Sequence, residues 1–211
     1  MKNKKIYLYI FVILLLESNL SILSFSNNIF DKLNNEKNNS NLSKIIGDIV
    51  RKTAYYHLFH RKIFNIEEKY IHPLLKERVG VFITITKDNF TVGCWGSITP
   101  NENNIKEEII HNTIKALSKD YRFTPINKLE FPEIRIYVSI VGKIEQIDSI
   151  SKLNPYNYGI MIKRGKKTGV LLPKEVMNIK QQISECKRKA NIKEGEEFLI
   201  YRFQTIVFGP Y

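Results

Sequence analysis

The sequence predicts an α+β fold in which helices flank a mixed, largely antiparallel sheet. Helical and strand-like patterns alternate irregularly along the chain, and two pairs of strand-like segments are separated by short turn signals. Hydrophobic residues make up 43% of the 211 residues, which is enough for the core of one domain. A regular alternation of strands and helices would instead predict a doubly wound parallel sheet.

The N-terminus has the pattern of a hydrophobic leader. Three lysines within the first five residues precede an unbroken apolar run, Ile6–Leu16, after which come the polar residues Glu17–Asn19 and then Ser24–Ser26. This arrangement is typical of a secretory signal peptide over residues 1–26, with cleavage after Ser26. An uncleaved membrane anchor over residues 6–25 is the alternative, although it would place Glu17 in hydrocarbon.

Residues 27–42 are rich in Asn and Lys and predict a polar spacer in front of a folded domain over residues 43–211. An import segment is the alternative for the same stretch. A leader followed by a basic, hydroxyl-containing segment is what delivery to a secretory-derived plastid requires. The expected location is therefore the secretory pathway or such a plastid, or else a membrane that holds the N-terminus.

The first half of the domain begins with a helix from Leu42 to about His60, because its apolar residues recur at spacings of three and four. A strand follows over Val79–Thr86, where the period is two, and it returns as a hairpin strand that ends at Cys94. Asn104 then starts a second helix, with a Glu three residues later as in a capping box.

The second half has a strand over Ile134–Ile140 and a hairpin over Tyr158–Leu172. Pro173 suits a first helical turn, and apolar positions spaced by three and four continue the helix to Ala190. The last strand is predicted over Phe198–Phe208.

The formal net charge of +12 favours acidic partners such as nucleic acid or anionic lipid. The abundance of Lys, Asn and Ile is also what an AT-rich genome produces. The basic turn Lys163–Lys167 and the run Lys187–Lys189 are candidates for phosphate binding. Neither is accompanied by an aromatic platform or a helix-turn-helix, so a nucleic-acid-binding module stays an alternative and nucleic acid is not the favoured partner.

Cys94 is the candidate catalytic residue. Gly93 and Gly96 flank it and allow a ligand to approach the backbone, and a helix N-terminus that follows soon after would lower the pKa of the thiol. The alternative is a small buried hydrophobic residue on a strand. A nucleophilic thiol needs a base, and His111 is the histidine that the sequence places nearest.

Asp120 and Arg122 are the second candidate, because a guanidinium fork can hold an anionic ligand. A salt bridge that orders the loop is the alternative. Arg202 completes such a site if it faces the same groove, and is otherwise a solvated side chain. No spacing of Cys, His, Asp and Glu matches a zinc site, so we predict neither a metal nor another cofactor.

Ordered motifs along the chain resemble those of the AMMECR family, also called system protein A of the AmmeMemoRadiSam set. The family patterns Gly-Val-Phe-Val-Thr, Leu-Arg-Gly-Cys-Ile-Gly and Asp-Pro-Arg-Phe-x-Pro have counterparts here, as does the C-terminal third. The matching segments are Gly80–Ile85, Thr91–Ile98, Asp120–Pro125, Gly169–Pro173, Cys186–Ala190 and Leu199–Phe203.

The resemblance implies two unequal lobes with a groove between them, free thiols at Cys94 and Cys186, and no established activity. It suggests a Memo-type or radical SAM protein as partner. We therefore expect a ligand-binding or accessory protein of a modification pathway, acting through a groove with Cys94 and Arg122. A cysteine-dependent enzyme of acyl or redox transfer is the alternative. Val92 stands where the family has Arg, which puts in doubt any function that needs that Arg.

Overall fold

The computed structural model describes residues 29–66 and 72–211. The predicted leader, in its cleaved or anchored form, lies outside these residues. Within the two described ranges, no helix is both long and apolar enough to cross a membrane.

The described residues form an α+β fold, as predicted. Four helices pack against a six-stranded sheet that curls into a half-barrel. The helices are α1 (residues 29–35), α2 (Ser40–Tyr55), α3 (Ile105–Ser118) and α4 (Ile179–Ala190). The strands are β1 (Val81–Lys87), β2 (Phe90–Gly96), β3 (Arg135–Ile147), β4 (Gly159–Arg164), β5 (Lys167–Leu171) and β6 (Leu199–Phe208).

The strand order is β2-β1-β3-β6-β4-β5, and each neighbouring pair is antiparallel. Two of these pairs are the predicted hairpins. Asp88 and Asn89 turn the first one with φ values of 52° and 65°, and Gly165 turns the second with φ of 58°. These residue types tolerate positive φ, which the tight turns of antiparallel hairpins require. β2 and β5 are therefore the two end strands of the sheet.

The predicted helix starts are confirmed in one case and wrong in another. The Asn104 side chain accepts a hydrogen bond from the Glu107 amide at 2.9 Å and begins α3 as predicted. α4 begins only at Ile179, behind the N-cap Asn178, and not at Pro173. Lys174 has φ of 68°, so the backbone at this point cannot continue a right-handed helix from Pro173.

Three hydrophobic clusters divide the domain into two unequal lobes. The largest lies between the helices α1, α2 and α3 and one face of β1, β3 and β6. A smaller one lies between α4 and the strands β4 and β5. A third joins the lobes and consists of Phe82, Ile98, Val141, Leu172 and Phe203.

Successive side chains of a strand point to opposite faces of the sheet, so every second residue of β1 and β3 faces the groove and not the core. Ile83 on β1 and Val138 on β3 are fully buried in the main core. Their neighbours Thr84 and Tyr137 are paired across the same two strands and lie on the opposite, concave face. That face is more polar than the core face, and it opens between the two lobes.

The residues before position 43 differ from the predicted polar spacer. α1 places Ile29 and Leu33 in the main core, with exposed fractions of 3% and 0%. The ring of Phe30 packs over Gly142 on β3. Two apolar residues four apart cannot fold a polar stretch alone, but they form one helix face that the rest of the core covers.

Replacing Leu33 by Ala tests whether α1 belongs to the domain. We expect the free energy of unfolding to fall by about 2–4 kcal/mol, because a fully buried leucine would leave a cavity. Lys32→Ala, at an exposed position of the same helix, is the control and should change it little. Equal unfolding midpoints for both variants in urea would show that residues 29–35 are a detached spacer.

Candidate functional site

Cys94 lies on the end strand β2, opposite Thr84 of β1. The Ser97 amide donates to the Val81 carbonyl at 3.3 Å, so residues 81 and 97 form a hydrogen-bonded pair. In an antiparallel ladder such pairs alternate with pairs that are not hydrogen-bonded. The alternation directs the amide and carbonyl of Cys94 away from β1, on the side where the sheet has no further strand.

The loop after α3 supplies partners for both of these backbone groups. The Cys94 amide donates to Asp120 Oδ2 at 2.8 Å, and Arg122 Nη2 donates to the Cys94 carbonyl at 3.3 Å. Arg122 also donates to Asp120 through Nε and Nη2, at 2.8 and 2.7 Å. The loop thus takes the place of a neighbouring strand for one residue.

Local chain geometry positions this loop. α3 ends at Ser118, and the Asp120 side chain accepts the Arg122 amide at 3.2 Å, which closes a short turn. The Phe123 amide donates to the Asp120 carbonyl at 3.1 Å and extends the same turn. Asp120 is thereby held with only 4% of its side chain exposed, while the Arg122 side chain is 42% exposed.

Asp120 is ionised in this setting. Burial alone would raise the pKa of its carboxyl, but the hydrogen bonds from the Arg122 guanidinium and from the Cys94 and Arg122 amides together lower the pKa below its ordinary value. The same carboxylate raises the pKa of Arg122, so its guanidinium is permanently charged.

The Cys94 thiol is neutral in this site. Its sulfur lies 3.6 Å from Thr84 Oγ1. Burial raises the pKa of the thiol, and this outweighs the opposing effects of the Thr84 hydrogen bond and the Arg122 charge. Cys186, the other free thiol, is fully buried in the smaller lobe, and burial raises its pKa to about 12.

The expected stabilisation of a thiolate by a helix N-terminus is wrong. A Cβ on Gly93 would lie 2.4 Å from the Ala116 carbonyl oxygen, so β2 crosses α3 near the C-terminal end of the helix. The C-terminal end of a helix dipole carries partial negative charge and disfavours a thiolate. Gly93 therefore serves close helix–strand packing and does not line the groove.

Two cavities of 680 and 540 Å³ meet at Cys94 and form the inter-lobe groove. Both volumes lie within the range of about 300–1,000 Å³ that is usual for ligand sites. Residues that line both cavities are Cys94, Arg122, Leu172, Glu175 and Lys189.

Several groove residues escaped the sequence analysis. Glu175 and Lys189 form an ion pair at 3.1 Å on the wall opposite β2, and Trp95 lies beside Cys94. Glu175 carried no sequence signal, because its position depends on the turn that precedes α4. Lys189 belonged to the basic run that was a candidate for phosphate binding, and nothing in the sequence indicated that it faces Cys94. Trp95 stands where the family pattern has Ile, and this difference was the one sequence signal that set it apart.

The structure brings together Cys94, Gly96, Asp120 and Arg122 but not Arg202. Arg202 of β6 pairs with Glu145, donates to the Lys152 carbonyl at 2.6 Å, and lies 4.4 Å from the centre of the Tyr158 ring. It lines neither of the two groove cavities, so the anion site lacks the second arginine that we expected.

His111 is not placed as a base for Cys94. Its Nδ1 lies 2.8 Å from Glu102 Oε1, and it lines neither cavity of the groove. Across the described ranges, no group of three or more His, Cys, Asp and Glu side chains is arranged to hold a metal ion.

The two basic segments that were candidates for phosphate binding have acidic partners. In the turn, Arg164 and Lys167 both approach Glu196, at 3.5 and 4.0 Å. In the α4 run, each of the three residues pairs with a carboxylate: Lys187 with Glu194, Arg188 with Glu185 and Lys189 with Glu175. Local neutralisation of this kind weakens the attraction for a phosphate backbone.

Comparison with known proteins places the chain in a family. The AMMECR1 family model matches residues 48–208, which include every strand of the sheet and the whole inter-lobe groove. The chain belongs to the AMMECR1 family. A relative from Thermotoga maritima is 35% identical over 146 residues, which are 67% of this chain and 84% of that protein. A Clostridium acetobutylicum protein is 35% identical over 128 residues, but these are only 27% of its length.

A solved structure shares the fold of this AMMECR1 family member. The crystal structure of an uncharacterized protein from Pyrococcus horikoshii superposes with a TM-score of 0.72 and 22% identity. The match covers 79% of this chain and 90% of that one.

Val92 shows how this chain differs from the motif of the AMMECR family it resembles. Its side chain packs against the main core, where the family pattern has Arg. The guanidinium beside the thiol is therefore that of Arg122, from the loop after α3.

Alkylation of Cys94 tests the state of its thiol. In a Cys186→Ala background, iodoacetamide should modify Cys94 more slowly than a free cysteine at pH 7.5, with a pH–rate midpoint above about 8.5, because the raised pKa leaves less thiolate. Intact mass spectrometry follows the single adduct. A midpoint well below that of free cysteine would contradict a neutral thiol.

Replacing Asp120 by Asn tests the buried carboxylate. Because the folded-state pKa is lowered, its charge stabilises the fold above the unfolded pKa of about 3.9, and this stabilisation is lost as the pH falls through the folded pKa. We expect the Asp120→Asn variant to have a free energy of unfolding about 1–3 kcal/mol lower than the parent at pH 7, and this difference should become smaller in acid.

Asp148→Asn is the matched control for this experiment. Asp148 pairs with a cation as Asp120 does, here Lys152, but its side chain is 80% exposed. Solvent screens such a pair, so the control should unfold much like the parent. If the two variants lose equal stability at pH 7, the carboxylate of Asp120 has no special role.

Proposed function

We propose that this AMMECR1 family member is a ligand-binding or accessory protein of a modification pathway, and that its ligand carries an anionic group and an apolar part. The observation that supports this most is the Arg122 guanidinium, fixed by a buried carboxylate and standing beside a neutral thiol in the inter-lobe groove. A fixed guanidinium binds carboxylate or phosphate without first losing side-chain freedom.

Arg122 retains donors for a ligand. Its bonds to Asp120 and Cys94 use Nε and Nη2, so Nη1 keeps two N–H groups for an incoming anion. The groove also keeps a small surplus of positive charge. The cations Arg122, Lys174, Arg188 and Lys189 line it, and Asp120, Glu185 and Glu175 pair with three of them, which leaves one positive charge.

The groove offers apolar surface next to this charge. Phe82, Ile98 and Leu172 of the joining cluster line the larger cavity together with Met161. Pockets that combine an apolar wall with a few fixed polar groups are typical of small-molecule and peptide sites. A ligand with both characters would contact each part at once.

A cysteine-dependent enzyme receives less support. Burial raises the pKa of Cys94 instead of lowering it, and His111 is paired with Glu102 away from the groove. Glu175 and Asp120 are the carboxylates that line the groove, and each is engaged by a cation. Such carboxylates are weak bases for a thiol whose pKa is raised.

The accessory role follows from the family resemblance. A Memo-type or radical SAM protein is the partner that we propose on this ground, with the groove presenting or holding the anionic ligand. The secretory pathway or a secretory-derived plastid is the proposed location; the first depends on the leader over residues 1–26, and the second also on residues 27–42.

The single tryptophan of the chain makes the proposal testable, because Trp95 follows Cys94 on β2 and borders the larger cavity, while its side chain packs against the main core. We expect benzoate, hexanoate or phenyl phosphate to change its fluorescence in a saturable way. Arg122→Gln should weaken binding roughly tenfold to a hundredfold, the effect of losing a charge-assisted hydrogen bond.

Arg164→Gln is the control, since Arg164 is the last residue of β4 and lines neither cavity of the groove. It should bind each probe as the parent does. Thermal unfolding of both variants shows whether they are folded. Titrations that stay flat with all three anions, or equal affinity for the folded Arg122→Gln protein, would refute the proposed anion site.

A further inference from the structure

The inter-lobe groove lies between the two free edges of the half-barrel. The larger cavity is lined on one side by β2, at Cys94, Trp95 and Gly96, and on the other by β5, at Thr168 and Val170. β2 and β5 are the end strands of the sheet order. An end strand presents backbone amides and carbonyls that can pair with another strand.

The β2 edge is largely occupied. The outward amide and carbonyl of Cys94 already bind Asp120 and Arg122. By the same alternation of pairs, Gly96 is the next residue whose backbone groups point away from β1. Where β2 lines the larger cavity, its edge therefore offers the backbone groups of one residue, Gly96, to a ligand.

The β5 edge offers more. The β4–β5 hairpin has a two-residue loop between Arg164 and Lys167, so these two residues form the hydrogen-bonded pair next to the turn. The alternation then directs the backbone groups of Thr168 and Val170 away from β4. Lys189 Nζ donates to the Val170 carbonyl at 3.1 Å, which confirms that this carbonyl points off the ladder.

Lys189 holds the Val170 carbonyl, but three other backbone groups on β5 also point away from β4 at the groove. They are the amide and carbonyl of Thr168 and the amide of Val170. Their spacing of two residues is the period of an extended strand, because alternate residues of a strand direct their backbone groups to the same side. Small molecules rarely carry donors and acceptors at this repeat.

We infer that the ligand of the groove is an extended polypeptide segment that adds as a strand to the β5 edge. This inference rests on the proposed function, because it assigns a class to the ligand of the same groove. Apolar side chains of the segment would contact Phe82, Met161 and Leu172, and an acidic side chain or terminal carboxylate would reach Arg122. Recognition of this kind combines main-chain pairing with pockets for alternate side chains.

Charge supports an acidic segment. The Arg122 guanidinium lines the larger cavity and keeps its Nη1 donors. An acidic side chain or a terminal carboxylate can accept from them, whereas a basic side chain cannot. Arg188 and Lys189, on the β5 side, are already paired with Glu185 and Glu175.

A display experiment on the full chain tests the inference. Linear seven-residue peptides displayed on phage are selected against the protein, and the enriched sequences are synthesised and titrated by Trp95 fluorescence. Each residue of the best peptide is then N-methylated in turn. We expect one position to lose about tenfold in affinity, because N-methylation there removes the donor to the Thr168 carbonyl, the one β5 carbonyl in the groove that Lys189 does not hold. The two neighbouring positions, whose amides point away from β5, should change little.

A pair of variants at Thr168 tests the same contact from the protein side. Thr168→Pro removes the outward amide without touching a bond of the β4–β5 ladder, and an edge strand tolerates proline at such a position. Thr168→Val keeps the amide and removes only the hydroxyl. We expect the proline variant to bind the peptide about tenfold more weakly and the valine variant to bind it as the parent does.

The outcomes separate the two claims. If no peptide enriches, or if N-methylation is without effect at every position, strand addition is refuted even when the proline variant does not fold. The proposed anion site is then tested independently by the titrations with benzoate, hexanoate and phenyl phosphate. Peptide binding that survives Thr168→Pro in a folded protein would also refute pairing with β5.

Discussion

The hydrogen bond from the Cys94 amide to the buried Asp120 carboxylate is the interaction on which the site depends. It fixes the loop after α3 against the edge of β2, and the same carboxylate then orients the Arg122 guanidinium. A buried carboxylate without these partners would be costly, so the loop, the strand edge and the arginine stabilise one another. The charge of Arg122 is thereby held at the groove in a fixed direction.

This arrangement explains why a cysteine between glycines need not be a nucleophile. Gly93 lets β2 approach α3 closely on one face of the strand, while the Cys94 side chain lies on the other face beside Thr84, where burial keeps the thiol protonated. The thiol contributes a small neutral surface to the groove, while the charge of the site comes from Arg122, Lys189 and Glu175. Two lobes joined by a small hydrophobic cluster leave the space between the end strands open.

Local signals in the sequence predicted most of the fold. The Asp88–Asn89 turn, the Asn104 cap and the strand periods depend on near neighbours, and each appears in the structure. The groove residues are different, because their positions depend on tertiary packing. The sequence identified Cys94 and the Asp120–Arg122 pair as candidates. It could not show that β2 and β5 face each other across a groove or that Arg202 belongs to another cluster. It also gave no sign that Leu33 is in the core.

Amide hydrogen exchange of β2 measures the central contact most directly. Gly96 and Cys94 both direct their amides off the end of the sheet, but only the Cys94 amide has a carboxylate acceptor at 2.8 Å. We predict that the Cys94 amide exchanges at least tenfold more slowly than the Gly96 amide under native conditions. Equal and rapid exchange at the two positions would contradict the account, because Asp120 would then not hold the edge of β2.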